Sequence, residues 1–217
     1  MKVRLIQLLI VSMIGLSACA EGSDYKWQEG DILFQDGDCG DFCEAIRKVT
    51  AGYEGRDFSH NGILIKENRQ WYVLEAVSAG VSKTPIDDFL NRHHDEEGNP
   101  RIIVGRLKSQ FKHLIPDALE HASSLIGKPY DAYFDLGNDA YYCSELIHLS
   151  LQKANSDTPV FQIYPMTFND PDTLEPFGIW VEYFENLGID IPENEPGLNP
   201  GGMSTDPAID IVYDFSK

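Results

Sequence analysis

The chain has 217 residues and a formal net charge of −18, from 35 acidic and 17 basic side chains. An electrostatic field of this sign repels nucleic-acid phosphates and anionic lipid headgroups, and therefore argues against both as partners. The length allows one domain with a hydrophobic core of its own. The acidic charge is also compatible with a substrate that carries an amine.

The first residues have the layout of a secretory signal. Lys2 and Arg4 precede an apolar run over residues 5–14, which is too short to span a bilayer comfortably. The run leads into Leu-Ser-Ala-Cys at positions 16–19, which resembles the lipobox of bacterial lipoproteins. This resemblance implies cleavage before Cys19 and attachment of lipid to Cys19. The alternative is an ordinary signal followed by an unrelated cysteine.

We therefore expect a signal peptide over residues 1–18, a lipidated N-terminus and linker over residues 19–29, and one domain over residues 30–217. The lipid would anchor the domain to a membrane of the bacterial cell envelope. Ala20 rather than an aspartate follows Cys19. By the same resemblance this implies the outer membrane in a bacterium that has two.

Two further cysteines, Cys39 and Cys43, lie four residues apart. In a helix this spacing places the Cα atoms about 6 Å apart, within reach of a disulfide, and an oxidising compartment permits the bond. A metal site would need further Cys or His ligands at matching spacing, and none follows nearby. We expect a local disulfide, with two free thiols as the alternative.

The first part of the domain contains short strands and one helix. Residues 30–35 form an apolar run after a turn, which predicts a strand, and residues 45–50 predict a short amphipathic helix. Residues 58–65 and 71–77 are two β-rich runs around a polar break. This pattern predicts a β-hairpin.

The hairpin carries two candidate functional residues, His60 and Glu75. Side chains alternate faces along a strand, so a turn centred between Glu67 and Asn68 would place His60 directly opposite Glu75. A centre half a residue later would place them on opposite faces. A carboxylate inside an apolar strand needs a partner, and His60 is the nearest candidate, although an isolated histidine is more commonly structural. As a pair they have the form of a base and its orienting carboxylate.

The remaining segments predict regular elements without evident chemistry. Residues 93–97 include possible metal ligands, but a solvated polar loop is the better interpretation of that stretch. The proline content of residues 190–207 predicts mostly loop. Strands are predicted over residues 80–85, 101–107 and 209–215, and helices over residues 86–92, 116–126 and 177–187.

Cys143 begins the stretch with the strongest functional signal. Apolar residues recur at Leu146, Ile147, Leu149 and Leu151. This spacing is helical, so we expect Cys143 in the first turn of a helix. There the unpaired backbone N–H groups and the helix dipole favour a thiolate. The alternative is a small buried cysteine that only packs.

Five short motifs occur along the chain in a recognisable order. They are Gly-Asp-Ile at 30–32, Ser-His-Asn-Gly-Ile at 59–63, Leu-Glu-Ala at 74–76, Gly-Lys-Pro-Tyr-Asp at 127–131 and Tyr-Cys-Ser-Glu-Leu at 142–146. From about Gly30 to at least Ala154 the chain thereby resembles the YiiX-like group of permuted papain-fold hydrolases, relatives of the NlpC-type cell-wall peptidases. In ordinary NlpC-type enzymes the nucleophile precedes the histidine, whereas here it follows. That is the permuted order.

The resemblance implies an α+β, circularly permuted papain-like fold, with the nucleophile helix packed against an antiparallel sheet. It implies that Cys143 is the nucleophile, His60 the base and Glu75 the group that orients His60. Tyr130, in the Gly-x-Pro-Tyr element, is implied near the active site as a substrate-binding residue. The implied chemistry is hydrolysis of an amide or related acyl bond through an acyl-enzyme, without a metal or an organic cofactor.

We therefore expect a cysteine amidase or peptidase that cleaves cell-envelope peptides or N-acyl amides, with acidic residues favouring an amine-bearing part of the substrate. Two alternatives stay open. One is a thiol acyltransferase or esterase acting on lipid, like the related lecithin-retinol acyltransferase group. The other is an inactive envelope protein that binds a ligand in the groove. The intact set of Cys143, His60 and Glu75 favours an enzyme.

Overall fold

The computed structural model describes residues 25–38 and 40–217. The expected signal peptide, the Cys19 lipidation site and Cys39 lie outside this part of the chain. Within it, no helix has both the length and the apolar character needed to cross a membrane. The described residues hold the whole of the expected domain except Cys39.

The domain is built on one large antiparallel sheet. Its strands are β1 (Ile32–Gln35), β2 (His60–Glu67), β3 (Gln70–Val77), β4 (Gly80–Pro85), β5 (Ile102–Leu107) and β8 (Ile209–Asp214). They lie in the order β4-β3-β2-β1-β5-β8. All of them were predicted from the sequence, with ends that differ by at most two residues. Two short strands that were not predicted, β6 (Tyr164–Pro165) and β7 (Pro196–Gly197), form a separate ribbon.

Helices cover one face of this sheet and part of the other. They are α1 (Asp41–Lys48), α2 (Ile86–Leu90), α3 (Ile115–Ser124), α4 (Cys143–Ala154), α5 (Gly178–Leu187) and α6 (Pro200–Ser204). α1 begins four residues earlier than predicted. α6 interrupts the segment predicted to be mostly loop, and Asn199 caps it by accepting a hydrogen bond from the Gly202 backbone at 2.6 Å.

The hairpin of β2 and β3 closes through Asn68 and Arg69. Both residues have a positive φ, 49° and 68°. Two successive left-handed residues are the geometry of a type I′ turn, whose twist matches that of the strands. The turn is therefore centred between Asn68 and Arg69, one full residue later than predicted.

This turn sets the register between the two candidate residues. Ile63 lies opposite Leu74, and continuing that register places Glu75 opposite Gly62 rather than opposite His60. The predicted direct pairing of His60 with Glu75 is therefore wrong. Because the shift is one whole residue in turn centre, both side chains still lie on the same face, as predicted.

The two faces of the sheet bury different sets of side chains. One face packs against α3 and α4, where Leu146, Ile147 and Leu151 of α4 are fully buried and Leu149 is partly buried. The predicted packing of the nucleophile helix on the sheet is confirmed. The other face carries Leu64 and Val73 and packs against Phe89 of α2 and the N-terminal residues Tyr25 and Trp27. By alternation, His60 and Glu75 belong to this second face.

A smaller apolar cluster joins α1 to α5 beside the main core. Its buried members are Ala45, Phe168, Trp180 and Phe184, and Phe134 packs against them with ring centroids 6.1 Å from Trp180 and 6.2 Å from Phe168. Edge-to-face and tilted aromatic contacts of this kind are favourable beyond the area they bury. The cluster makes a rigid apolar wall facing the beginning of α4.

Candidate active site

Cys143 is the first residue of α4, as predicted. Tyr142 before it is extended, with φ −94° and ψ 171°, and its backbone N–H donates to the Glu145 carboxylate at 3.1 Å. The backbone N–H of a first-turn residue has no acceptor within its own helix. Cys143 is 8% exposed, so its thiol is mostly desolvated but reachable from one side.

The Cys143 thiol and the His60 imidazole are neighbours, and each shifts the pKa of the other. His60 Nε2 lies 2.6 Å from Glu75 Oε2, which leaves Nδ1 as the ring nitrogen for the thiol. Burial opposes charge on both groups, yet their contact outweighs it. The pKa of Cys143 is lowered, and the pKa of His60 is raised to about 9 by Cys143 and Glu75 together. At neutral pH this favours a thiolate–imidazolium pair.

The Glu75 carboxylate is completely buried and held from three sides. Besides His60, it accepts hydrogen bonds from Arg92, with Nη1 2.7 Å from Oε2 and Nη2 2.5 Å from Oε1, and from the Thr84 hydroxyl. Burial alone would raise the pKa of Glu75. The hydrogen bonds from His60, Arg92 and Thr84 reverse this and lower it to about 2. Glu75 is therefore ionised at any pH at which the protein would act.

Gly62 makes the diagonal contact between His60 and Glu75 possible. It lies opposite Glu75 on the same face of the hairpin, and a Cβ there would lie 2.3 Å from Val73 Cγ1 and 3.3 Å from Glu75 Cβ. Real Cβ atoms do not approach a neighbour as closely as 2.3 Å. Without a side chain at this position, Glu75 can lean along the strand toward the imidazole.

Asn61 ties the beginning of β2 to the beginning of α4 on the other face of the sheet. Its Nδ2 donates to Ser144 Oγ at 3.0 Å, and both residues are completely buried. Its backbone N–H and the Ser144 hydroxyl also stabilise the Cys143 thiolate and help lower its pKa. His60 and Asn61 are therefore neighbours on β2 with complementary roles. His60 supplies the imidazole, and Asn61 holds Ser144, the residue that follows Cys143.

A cleft of about 290 Å³ opens beside Cys143. Its lining comes from the end of α1, the aromatic cluster, β6 with the residues after it, and the residues around the start of α6. Apart from the Cys143 thiolate, none of the described residues that line it is charged. Its apolar lining includes Ile46, Val49, Phe134, Tyr164, Met166, Phe168, Trp180 and Leu198.

Tyr130 lines the same cleft as Cys143, where the sequence predicted a residue near the active site. It forms a β-bridge with Tyr141, which fixes the loop that leads into α4. Burial raises the pKa of Tyr130, and the neighbouring Cys143 raises it further. Its hydroxyl therefore stays protonated and can donate a hydrogen bond.

Three side chains that hold this arrangement were not predicted from the sequence: Arg92, Thr84 and Asn61. Arg92 follows α2, at the end of a stretch predicted to be helical, and no local pattern distinguishes it from a surface arginine. The one available signal was the need of a buried Glu75 for a cationic partner. Asn61 lies inside one of the five motifs, but its neighbour Ser144 is distant in sequence.

The remaining predictions concern the other three cysteines and the segment 93–97. Cys43 is buried on α1, while Cys39 lies outside the described residues, so their disulfide stays a prediction. Cys19 and its lipid stay a prediction for the same reason. The segment 93–97 is a loop closed by a bridge between His94 and Pro100. In the described part of the chain, no group of three or more His, Cys, Asp or Glu side chains is placed to hold a metal ion.

Comparison with known proteins agrees with this fold and order of residues. Residues 26–213 match the family model described as permuted papain-like amidase enzyme, YaeF/YiiX, C92 family. The uncharacterized protein YiiX of Escherichia coli strain K12 is 28% identical over 215 residues, covering 95% of this chain and 94% of the relative. The crystal structure of the metalloprotein yiiX from Escherichia coli O157:H7 matches with a TM-score of 0.70 and 27% identity, covering 88% of this chain and 98% of that one. The predicted α+β permuted papain-like fold is confirmed, and the chain belongs to the C92 family of permuted papain-like amidases.

Proposed function

We propose that the protein is a cysteine amidase that hydrolyses N-acyl amides through an acyl-enzyme on Cys143. One observation carries the proposal above the others. The Glu75 carboxylate is hydrogen-bonded to the His60 imidazole, and the imidazole in turn lies beside the Cys143 thiol at an apolar cleft. A nucleophile, a base and a group that orients the base are the set that acyl transfer requires.

In the first half of the reaction the Cys143 thiolate attacks the acyl carbonyl carbon. The backbone N–H of Cys143 and the hydroxyl of Tyr130 are the donors available to the oxyanion. The imidazolium of His60 gives its proton to the leaving nitrogen as the C–N bond breaks. The products of this half are a thioester on Cys143, a free amine and neutral His60.

In the second half a water molecule attacks the thioester. Neutral His60 takes a proton from the water, the C–S bond breaks, and a carboxylic acid leaves. The thiolate and the imidazolium are thereby regenerated. Glu75 stays ionised throughout and holds the imidazole in the tautomer that presents Nδ1 to sulfur and to substrate.

The uncharged lining of the cleft supports an acyl chain as the part of the substrate bound there. An alkyl chain gains free energy when it leaves water for such a surface. The ammonium and carboxylate groups of a cell-wall stem peptide would lose hydration there without a charged partner. The lining of the cleft therefore gives no support to the expectation that acidic side chains favour an amine.

The test uses purified protein and a series of N-acyl amino acids of increasing chain length, with a stem peptide alongside. We expect release of free acid and free amine, a kcat/KM that rises with chain length, and no turnover by Cys143→Ala. Equal turnover by wild type and Cys143→Ala would refute the proposed enzyme. Turnover of the stem peptide alone would refute the acyl chain as the group recognised.

Two matched variants separate the cleft from the general surface. Val49→Glu places a charge in the cleft, and Leu174→Glu places one at an apolar residue that is 75% exposed and outside it. We expect Val49→Glu to raise the KM of long-chain substrates and Leu174→Glu to leave it unchanged. Addition of an amine or alcohol acceptor distinguishes hydrolysis from transfer: acylated acceptor in place of free acid would assign a transferase.

We also propose that lipid on Cys19 anchors the protein to a membrane of the bacterial cell envelope. The lipobox-like sequence before Cys19 supports this. Tyr25, six residues after Cys19 in the sequence, is already part of the fold, because its hydroxyl donates to the buried Asp31. We expect wild type and Cys143→Ala to partition into detergent and Cys19→Ala into water. Aqueous partition of the wild type would overturn the anchor.

A further inference from the structure

We propose that Arg92 is a positioning residue for the reaction, and that its fixed positive charge sets the pH range in which the thiolate–imidazolium pair exists. This inference rests on the proposed function of Cys143 and His60. Arg92 does not line the cleft, so it acts through Glu75 and not on the substrate. Its role follows from the geometry around one buried carboxylate.

The guanidinium of Arg92 and the imidazole of His60 share the Glu75 carboxylate. Arg92 donates to both oxygens, at 2.7 Å and 2.5 Å, while His60 contacts Oε2 only. A two-point contact with a planar guanidinium fixes the rotation of the carboxylate as well as its position. The carboxylate direction then fixes the imidazole. Arg92 itself lies over the ring of Phe89 at 5.0 Å, which limits its own freedom.

The proposed cycle gives this second cation a function that the imidazole cannot fill. His60 is positively charged in the resting enzyme, in which Cys143 is a thiolate. It is neutral after it has protonated the leaving amine. At that moment a carboxylate paired with His60 alone would be a buried charge without a partner, which is strongly unfavourable. A guanidinium is not deprotonated in proteins, so Glu75 keeps a cationic partner through the whole cycle.

The charge of Arg92 also acts on the two titrating groups, and the sign is the same for both. A nearby positive charge favours the Cys143 thiolate over the thiol and disfavours the His60 imidazolium. Removal of Arg92 therefore raises the pKa of Cys143 and the pKa of His60. A residue with a structural role only would lower stability without moving either pKa.

The remaining titratable groups near this array are few. Burial raises the pKa of Tyr130 and of Tyr142, so both stay protonated, and it raises the pKa of Glu145 to about 8. His93 lies near Arg92 and has its pKa lowered, first by burial and then by Arg101 and Arg92. Glu145 titrates in every variant, so differences between variants report on Arg92.

The experiment measures the rate of Cys143 alkylation by iodoacetamide across pH, which needs no knowledge of the substrate. The wild-type rate should show an inflection well below the usual thiol pKa and a second near pH 9, where His60 loses its proton. In Arg92→Gln we expect both inflections to move up by about one pH unit. Arg92→Lys keeps the positive charge but loses the two-point contact with Glu75. Its inflections should therefore stay near those of wild type. With the acyl amide that wild type hydrolyses most efficiently, the kcat of Arg92→Lys should fall while its KM stays unchanged.

Arg106→Gln is the matched control. Arg106 makes the same two-point contact with another completely buried carboxylate, that of Asp31, at 2.7 Å and 2.9 Å, and does not touch the array. It should lose thermal stability and keep the wild-type inflections. If Arg92→Gln and Arg92→Lys both match Arg106→Gln, Arg92 is structural and the inference is overturned. If wild type itself lacks the low inflection, the proposed function fails instead.

Discussion

His60 and Glu75 meet diagonally across the β2–β3 hairpin, with Nε2 and Oε2 2.6 Å apart although the register places Gly62 opposite Glu75. The diagonal path depends on the empty space at Gly62. It also leaves the second carboxylate oxygen free for Arg92 and Thr84. Glu75 can therefore orient His60 and be oriented itself.

Gly62→Ala should disturb the site through sterics alone. The new Cβ would lie 2.3 Å from Val73 Cγ1, so the hairpin or the side chain must shift. Overpacking of this kind costs about 1–3 kcal/mol of folding free energy. We expect a lower denaturation midpoint together with reduced Cys143 reactivity. Gly178→Ala is the control, because a Cβ there meets nothing within 4 Å. Equal behaviour of the two variants would contradict the steric account.

Loss of His60 should be more damaging than loss of the Glu75 charge. His60→Ala removes the proton carrier, and general acid–base groups contribute about 10²- to 10⁴-fold in rate. Glu75→Gln keeps a hydrogen-bonding side chain, so its kcat should fall by less. Glu67→Gln removes a partly exposed carboxylate at the end of the neighbouring strand β2, where it pairs with Lys83, and should leave kcat unchanged. A wild-type kcat in Glu75→Gln would contradict this account. So would a loss of kcat in Glu67→Gln as large as that in Glu75→Gln.

Stability should depend on pH through Glu75 on the acid side. The pKa of Glu75 falls from its ordinary 4.5 to about 2 on folding. A depressed carboxyl pKa gives a stabilisation that is complete above pH 4.5 and is lost as the pH falls toward 2. The shift corresponds to a free energy on the order of 3 kcal/mol.

Urea denaturation of wild type and Glu75→Gln at several pH values measures this effect. His60 stays protonated throughout the window from pH 4.5 to 2, since its pKa is about 9. The stability difference between the two proteins should therefore shrink as the pH falls through that window. A difference that stays constant down to pH 2 would mean that Glu75 does not have the depressed pKa.

The sequence predicted those features of the site that local patterns encode. The spacing of Leu146, Ile147 and Leu151 was enough to place Cys143 at a helix start. Strand alternation was enough to place His60 and Glu75 on one face. The register was wrong because the turn uses Arg69 in a left-handed conformation. Such turns usually carry Gly or Asn there, so no residue marked its centre.

Features built from distant segments were not predictable in the same way. The Arg92–Glu75 contact, the Asn61–Ser144 contact and the cleft each join parts of the chain that share no periodicity. The acidic net charge did not indicate the uncharged lining of the cleft, because charge summed over a whole surface does not specify one pocket. Only the folded arrangement shows that the space beside Cys143 is uncharged.

The most direct test of the central claim is the pH dependence of Cys143 alkylation, measured by peptide mass spectrometry in wild type and in His60→Ala. The account predicts rapid labelling of wild-type Cys143 at pH values well below about 8.5, the pKa of an ordinary thiol. It predicts that His60→Ala loses this early reactivity and is labelled only near pH 8.5 or above. Wild-type labelling that rises only near pH 8.5 would contradict an activated nucleophile at Cys143.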